Sequence, residues 1–166
     1  MTSLDTTTGK TVWGLTAGVL ALVIAIDPGL AASEKKRDDR GRYLVTIAGC
    51  NDCHTAGFAD AAGKIPEKDW LTGDRIGWRG PWGTTYASNL RLAMQKLTEE
   101  QWLTTARTVE FRPPMPWYIL REMTDQDLRA IYRFIRNLGP AGVTMPDYVP
   151  PDREPPQPYI LFPGAP

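Results

Sequence analysis

Every cysteine and the only histidine of this 166-residue chain fall in five consecutive positions: Cys50, Asn51, Asp52, Cys53 and His54. Two thiols three residues apart project from one side of a helical turn. That separation lets both form thioethers with the two vinyl groups of one porphyrin, and the adjacent imidazole then reaches the iron. The pattern predicts one c-type haem, with Cys50 and Cys53 as covalent anchors and His54 as an iron ligand. Other chemistries fit less well. A tetrahedral zinc site built from Cys and His needs four ligands, and only three such side chains exist here. A thioredoxin-like dithiol expects a strand before its Cys-x-x-Cys, whereas the residues before Cys50 follow a helical pattern. A small disulfide loop leaves His54 without a role.

No second histidine remains for the sixth iron position, so methionine leads by elimination. Met115 lies in RPPMPW, where Pro113, Pro114 and Pro116 fix the backbone and form a stiff strap that can hold a thioether against iron. Met94 and Met123 read as apolar filler in or near helices, and Met145 lies in the tail. The segment from Gly77 to Asn89, GWRGPWGTTYASN, offers Trp78, Arg79, Trp82, Tyr86 and Asn89. These are donors suited to a haem propionate carboxylate, and equally to core packing with a solvated arginine.

Haem of this type is attached outside the cytoplasm, and the N-terminus is consistent with export. Val12 to Ile26 is a nearly unbroken apolar run preceded by Lys10 and followed by small residues up to Ala32. Residues 1–32 are therefore expected to be a signal peptide, or an uncleaved anchor that would hold the protein at the membrane. Residues 33–140 form the expected domain. Residues 141–166 form a tail, since nine of the 15 prolines follow Leu138 and favour extended, polyproline-like backbone over helix. The 19 basic and 19 acidic side chains balance, which points away from nucleic acid.

Three helices must position these groups. The first runs from about Asp39 into the Cys50–His54 segment, with Tyr43, Leu44, Ile47 and Ala48 on one side. The second opens at Thr98, whose pairing with Gln101 makes a capping box, and turns Trp102, Leu103 and Ala106 inward. The third opens at Thr124, carries Leu128, Ile131, Tyr132, Ile135 and Leu138 at helical spacing, and stops at Gly139 and Pro140. Thr55 to Leu97 reads mostly as loop around the cofactor.

Over residues 39–140 the helix into CNDCH, the Gly-rich aromatic loop ending in ASNL, the RPPMPW strap and the closing helix TDQDLRAIYRFIRNL occur in the order that resembles a class I, monohaem bacterial cytochrome c. The resemblance implies a small all-α domain wrapped around one covalently bound haem; the Pro-rich extended tail exceeds the family's minimal domain and is free to wrap it or dock on a partner. It implies first and last helices that cross, with Gly41 close to Tyr132 or Phe134, and His54 and Met115 as axial ligands. It also implies that the carbonyl of Pro66 accepts the hydrogen bond of the proximal imidazole. The expected function is that of a periplasmic electron carrier, without substrate chemistry of its own, between a dehydrogenase or respiratory complex and an acceptor. The alternatives are a haem-bearing subunit of a larger oxidoreductase complex and a haem enzyme or gas sensor with an open iron position.

Overall fold

The computed structural model of the chain describes residues 39–165. The expected signal segment, residues 1–32, lies outside the described residues. No helix among the described residues is long and apolar enough to cross a membrane.

The first helix, α1, occupies residues 39–47 and does not continue into the cysteine motif as expected. Gly49 adopts a left-handed conformation, φ 69° and ψ 22°, which breaks the helix and starts a second, α2, at Cys50–His54. Glycine takes that conformation without the strain a Cβ brings. The buried face of α1 also differs from the expected stripe. Leu44 and Val45 are buried, while Tyr43 and Ile47 are 53% and 59% exposed. The reason lies in Gly41, where a Cβ would collide with the carbonyl of Ala130 and come within 2.6 Å of the Phe134 Cβ. Close contact at position 41 turns positions 44 and 45 inward and rotates 43 and 47 out. The crossing partners of Gly41 are thus Ala130 and Phe134. Tyr132 points elsewhere, its hydroxyl donating to the Leu97 carbonyl at 2.8 Å.

Four more helices follow: α3 (Leu90–Gln95), α4 (Glu99–Thr108), α5 (Trp117–Glu122) and α6 (Asp125–Asn137). The α4 capping box is complete, with Thr98 and Gln101 exchanging side-chain and backbone bonds. Thr124 caps α6 by accepting from the Asp127 amide. Trp102, Leu103 and Ala106 of α4 are buried with Leu128, Ile131, Tyr132 and Ile135 of α6. The indole of Trp102 donates to the Leu128 carbonyl at 2.8 Å, so the core leaves that polar atom satisfied.

The fold is not all-α. A hairpin of β1 (Gly77–Gly80) and β2 (Gly83–Tyr86) interrupts the expected loop, with Gly77 opposite Tyr86 and Gly80 opposite Gly83. Its Trp, Thr and Tyr content suits a pleated, half-buried surface, and two residues make the turn. A third strand, β3 (Tyr159–Leu161), pairs parallel to β1 on its other edge. That strand comes from the proline-rich tail, which contains no helix among its described residues and lies back on its own domain. Val149 bridges to Thr84, and the Phe162 ring sits 5.9 Å from that of Trp78 and 5.2 Å from that of Trp82.

Candidate cofactor site

Helix α2 presents Cys50, Cys53 and His54 to one wall of a cavity of about 400 Å³. Its other walls include Met94, Trp102, Leu120, Ile131 and Ile135, so the lining is largely apolar. The volume lies within the range of small-molecule and cofactor pockets. The chain's bends hold α2 in place. Thr55 donates to the Asn51 side chain at 2.7 Å and accepts from the Leu71 amide at 2.8 Å, and the Gly73 amide donates to the His54 carbonyl at 2.8 Å.

His54 is 8% exposed, and its Nδ1 lies 2.7 Å from the carbonyl oxygen of Ser88. A carbonyl can only accept, so Nδ1 carries the hydrogen and Nε2 is left with its lone pair. Burial pushes the imidazole pKa down, against the opposing pull of the Ser88 carbonyl, which keeps the ring neutral and able to ligate. The acceptor is therefore Ser88, not Pro66. The Pro66 carbonyl instead takes the Asp69 amide at 2.9 Å, opening a short 3-10 turn at Glu67–Asp69. Backbone bonds from Leu90 to Leu71 and from Asp74 to Ala87 draw residues 87–90 alongside 71–74, and that brings Ser88 to the imidazole.

Both cysteines are free thiols. Burial raises the Cys50 pKa to about 11, and burial followed by the Asp52 carboxylate raises that of Cys53. Redox-active and zinc-binding cysteines need the opposite, a stabilised thiolate. Among the described residues no cluster of histidine, cysteine and carboxylate side chains is arranged to hold a metal ion by itself.

Met115 lines the same cavity, flanked by Pro114 and Pro116. Its amide donates to the Arg112 carbonyl at 3.3 Å and its carbonyl accepts from Trp117 at 2.9 Å, so the strap is a tight turn leading into α5. Met94 and Met123 line the cavity as well, whereas Met145 lies against Gly73 and does not.

The expected carboxylate-binding donors separate. Tyr86 lines the cavity, and its hydroxyl is buried without a partner among the described residues. Trp78 lines it too, with its indole Nε1 in the same state. Arg79, Trp82 and Asn89 do not. Arg79 is next to Trp78 on β1 and so faces the other side of the sheet. There it donates to the Arg153 carbonyl at 3.0 Å and pairs with Glu154 at 3.2 Å. Trp82 packs on Phe162. Asn89 caps α3 by accepting from the Leu92 amide at 3.0 Å, and it donates to the carbonyls of Ala141 and Val143 at 2.8 and 3.1 Å.

Two tail residues, Pro146 and Tyr148, close part of the cavity, as does Arg112 before the strap. Sequence reasoning missed these three, and it missed Ser88, whose contribution is a backbone oxygen that carries no side-chain signature. It also missed Arg91. That buried guanidinium donates to the carbonyls of Gly139 and Lys68, both at 2.6 Å, and to that of Leu138. It thereby ties α3 to the C-terminal end of α6, where a cation is favoured by the helix dipole.

A haem carrying two propionates matches this donor set. Two neutral thiols, a neutral imidazole with a free Nε2 and a thioether stand on an apolar cavity that also contains two buried donors lacking acceptors. A family model described as Cytochrome c matches residues 39–139, which span α1 to the glycine after α6. No curated protein and no solved structure matches the chain.

Proposed function

Since the chain belongs to the cytochrome c family, we propose that it is an electron-transfer protein holding one haem c through thioethers to Cys50 and Cys53, with His54 and Met115 as the axial ligands. The observation that carries this reading is the meeting of Cys50, Cys53, His54 and Met115 on one cavity. Bound there, the haem supplies a reversible one-electron iron couple, and a Met/His pair favours a high potential.

The chain's own residues supply the rest. Ser88 fixes the tautomer and orientation of His54, which is how a neighbouring acceptor tunes a ligating imidazole. Trp78 and Tyr86 offer hydrogen bonds to the propionates, and the apolar walls exclude water. The apolar run before Asp27 supports export, in keeping with the extracytoplasmic setting typical of the family, and the periplasm is the compartment we assign. Redox partner proteins, a dehydrogenase or respiratory complex, are the proposed donors and acceptors. Free carrier and complex subunit share this chemistry and differ only in partner.

The test is visible absorption of protein matured in a host with haem-attachment machinery, for wild type and Met115→Ala. Haem retained after denaturation and a ferric methionine-to-iron charge-transfer band in wild type, lost in Met115→Ala together with a gain of carbon monoxide binding, is the expected outcome. Wild-type protein that already binds carbon monoxide, with no change on substitution, would instead indicate an open iron and favour a haem enzyme or sensor.

A further inference from the structure

We infer that the proline-rich tail is a working part of the cofactor site: Tyr148, through Arg112, clamps the strap that carries Met115 and so keeps its thioether in place. This rests on the ligand reading above and goes beyond it, because Tyr148 and Arg112 are outside the ligand set and Tyr148 lies beyond the segment matched by the family model.

The contacts form a continuous path. The Tyr148 hydroxyl donates to the Trp82 carbonyl at 2.8 Å, at the turn between β1 and β2. The ring is seated in a notch that exists because residue 83 is glycine. A Cβ there would come within 2.9 Å of both the ring and the hydroxyl of Tyr148. The neighbouring backbone is pinned too, since Val149 and Thr84 exchange amide-to-carbonyl bonds of 2.7 and 3.0 Å. On this fixed ring lies the guanidinium of Arg112, 4.0 Å from the centroid, a close cation–π contact. Arg112 in turn accepts the Met115 amide on its own carbonyl. The next residue, Pro113, is held from the same hairpin, because the Thr85 hydroxyl donates to its carbonyl at 2.6 Å. The start of the strap's first turn, Arg112 and Pro113, is therefore fixed to the tail and to β2.

Both Tyr148 and Arg112 also line the cavity, so the clamp sits at the site. An axial thioether is a weak ligand that exogenous bases displace when its loop can swing away. Rigid support for the strap shifts that equilibrium toward the bound state without any contact to iron. Tyr148 is thus a positioning residue.

The test uses full-length, haem-loaded ferric protein and reads imidazole binding, the methionine-to-iron band and hydrogen exchange of the Met115 amide. Tyr148→Ala and Arg112→Gln should each increase imidazole affinity by about fivefold, the scale of a lost cation–π contact at an exposed site, and speed Met115 amide exchange. Combining them should add little, because both break one contact. Tyr148→Phe keeps the ring under Arg112 and should restore most of the wild-type behaviour. The clamp is refuted if both single variants bind imidazole within about twofold of wild type while Met115→Ala binds it freely, or if the two effects simply add. A wild type lacking the charge-transfer band, with imidazole binding indifferent to Met115→Ala, would overturn the ligand reading itself and the clamp with it.

Discussion

Trp78 and Tyr86 set a problem at the scale of single residues. A buried donor with no acceptor costs about 1–3 kcal/mol, yet both stand on the cavity wall in that condition. The cost disappears if a carboxylate of the cofactor accepts from them. Trp78→Phe keeps an aromatic ring and deletes the donor, so it separates the two cases by redox titration of the haem-loaded protein. Loss of a hydrogen bond to a propionate leaves more negative charge near the iron and favours the ferric state. The midpoint should then fall by some tens of millivolts, a tenfold change in a one-electron equilibrium being about 59 mV. An unchanged midpoint would mean that the indole has no cofactor partner. The residues legible beforehand were those whose chemistry restricts their type. Thiols, imidazole and thioether have no substitutes, so Cys50, Cys53, His54 and Met115 stood out. Donors were harder, because Trp78, Arg79, Trp82, Tyr86 and Asn89 look alike as a list. Strand alternation sends Trp78 to the cavity and Arg79 away from it, and that alternation became visible only once the hairpin was known.

Elements were legible in proportion to their length. Helices α4 and α6, of 10 and 13 residues, show both caps and periodicity. Helices α3 and α5 have six residues each, too few for a face to repeat, and they were missed. The hairpin was missed because its strands have four residues each, too few for alternation to show, and β3 because it reaches β1 from the far end of the chain. Where α4 meets α6, Glu99 makes a specific prediction. It accepts from Arg133 twice, at 2.8 Å each, and from Arg129 at 2.7 Å, while standing in the first turn of α4. The Arg133 fork, followed by Arg129, holds its carboxyl below the ordinary value of 4.5. The unfolded chain therefore binds this proton at a higher pH than the folded one. The associated stability is fully present above about 4.5 and is lost as pH falls through the folded value. Thermal unfolding from pH 7 down to pH 3 should show Glu99→Gln less stable by about 1 kcal/mol at neutral pH, with the two curves converging in acid. Parallel curves would show that the arginine fork adds nothing to stability.

At the scale of the whole molecule, the tail turns a helical domain into one whose cofactor cavity is partly closed by residues from beyond α6. It is fastened in two zones. The first, residues 141–149, is held by Asn89, Thr84 and Trp82 and includes the cavity residues Pro146 and Tyr148. The second, residues 153–162, depends on Arg79. That side chain is 6% exposed although charged. It donates to the Arg153 carbonyl, pairs with Glu154 and lies 5.7 Å from the Tyr159 ring centroid, while its own carbonyl accepts the Phe162 amide at 2.7 Å. The Glu154 and Tyr159 side chains complete the set with a 2.7 Å bond to each other. Arg79→Met keeps the apolar stem and removes these charged bonds. Glu154 is 69% exposed and can turn to water, so little penalty should reach the core. The effect should be a local opening. Amide exchange at Phe162 should rise by about tenfold or more, with α6 amides, the thermal midpoint and the methionine-to-iron band nearly unchanged. Exchange rising equally in α6 would show the tail and the helical core unfolding as one cooperative unit. Loss of the band in Arg79→Met would show that the two zones are mechanically joined, and that support for Met115 extends through the tail as far as β3.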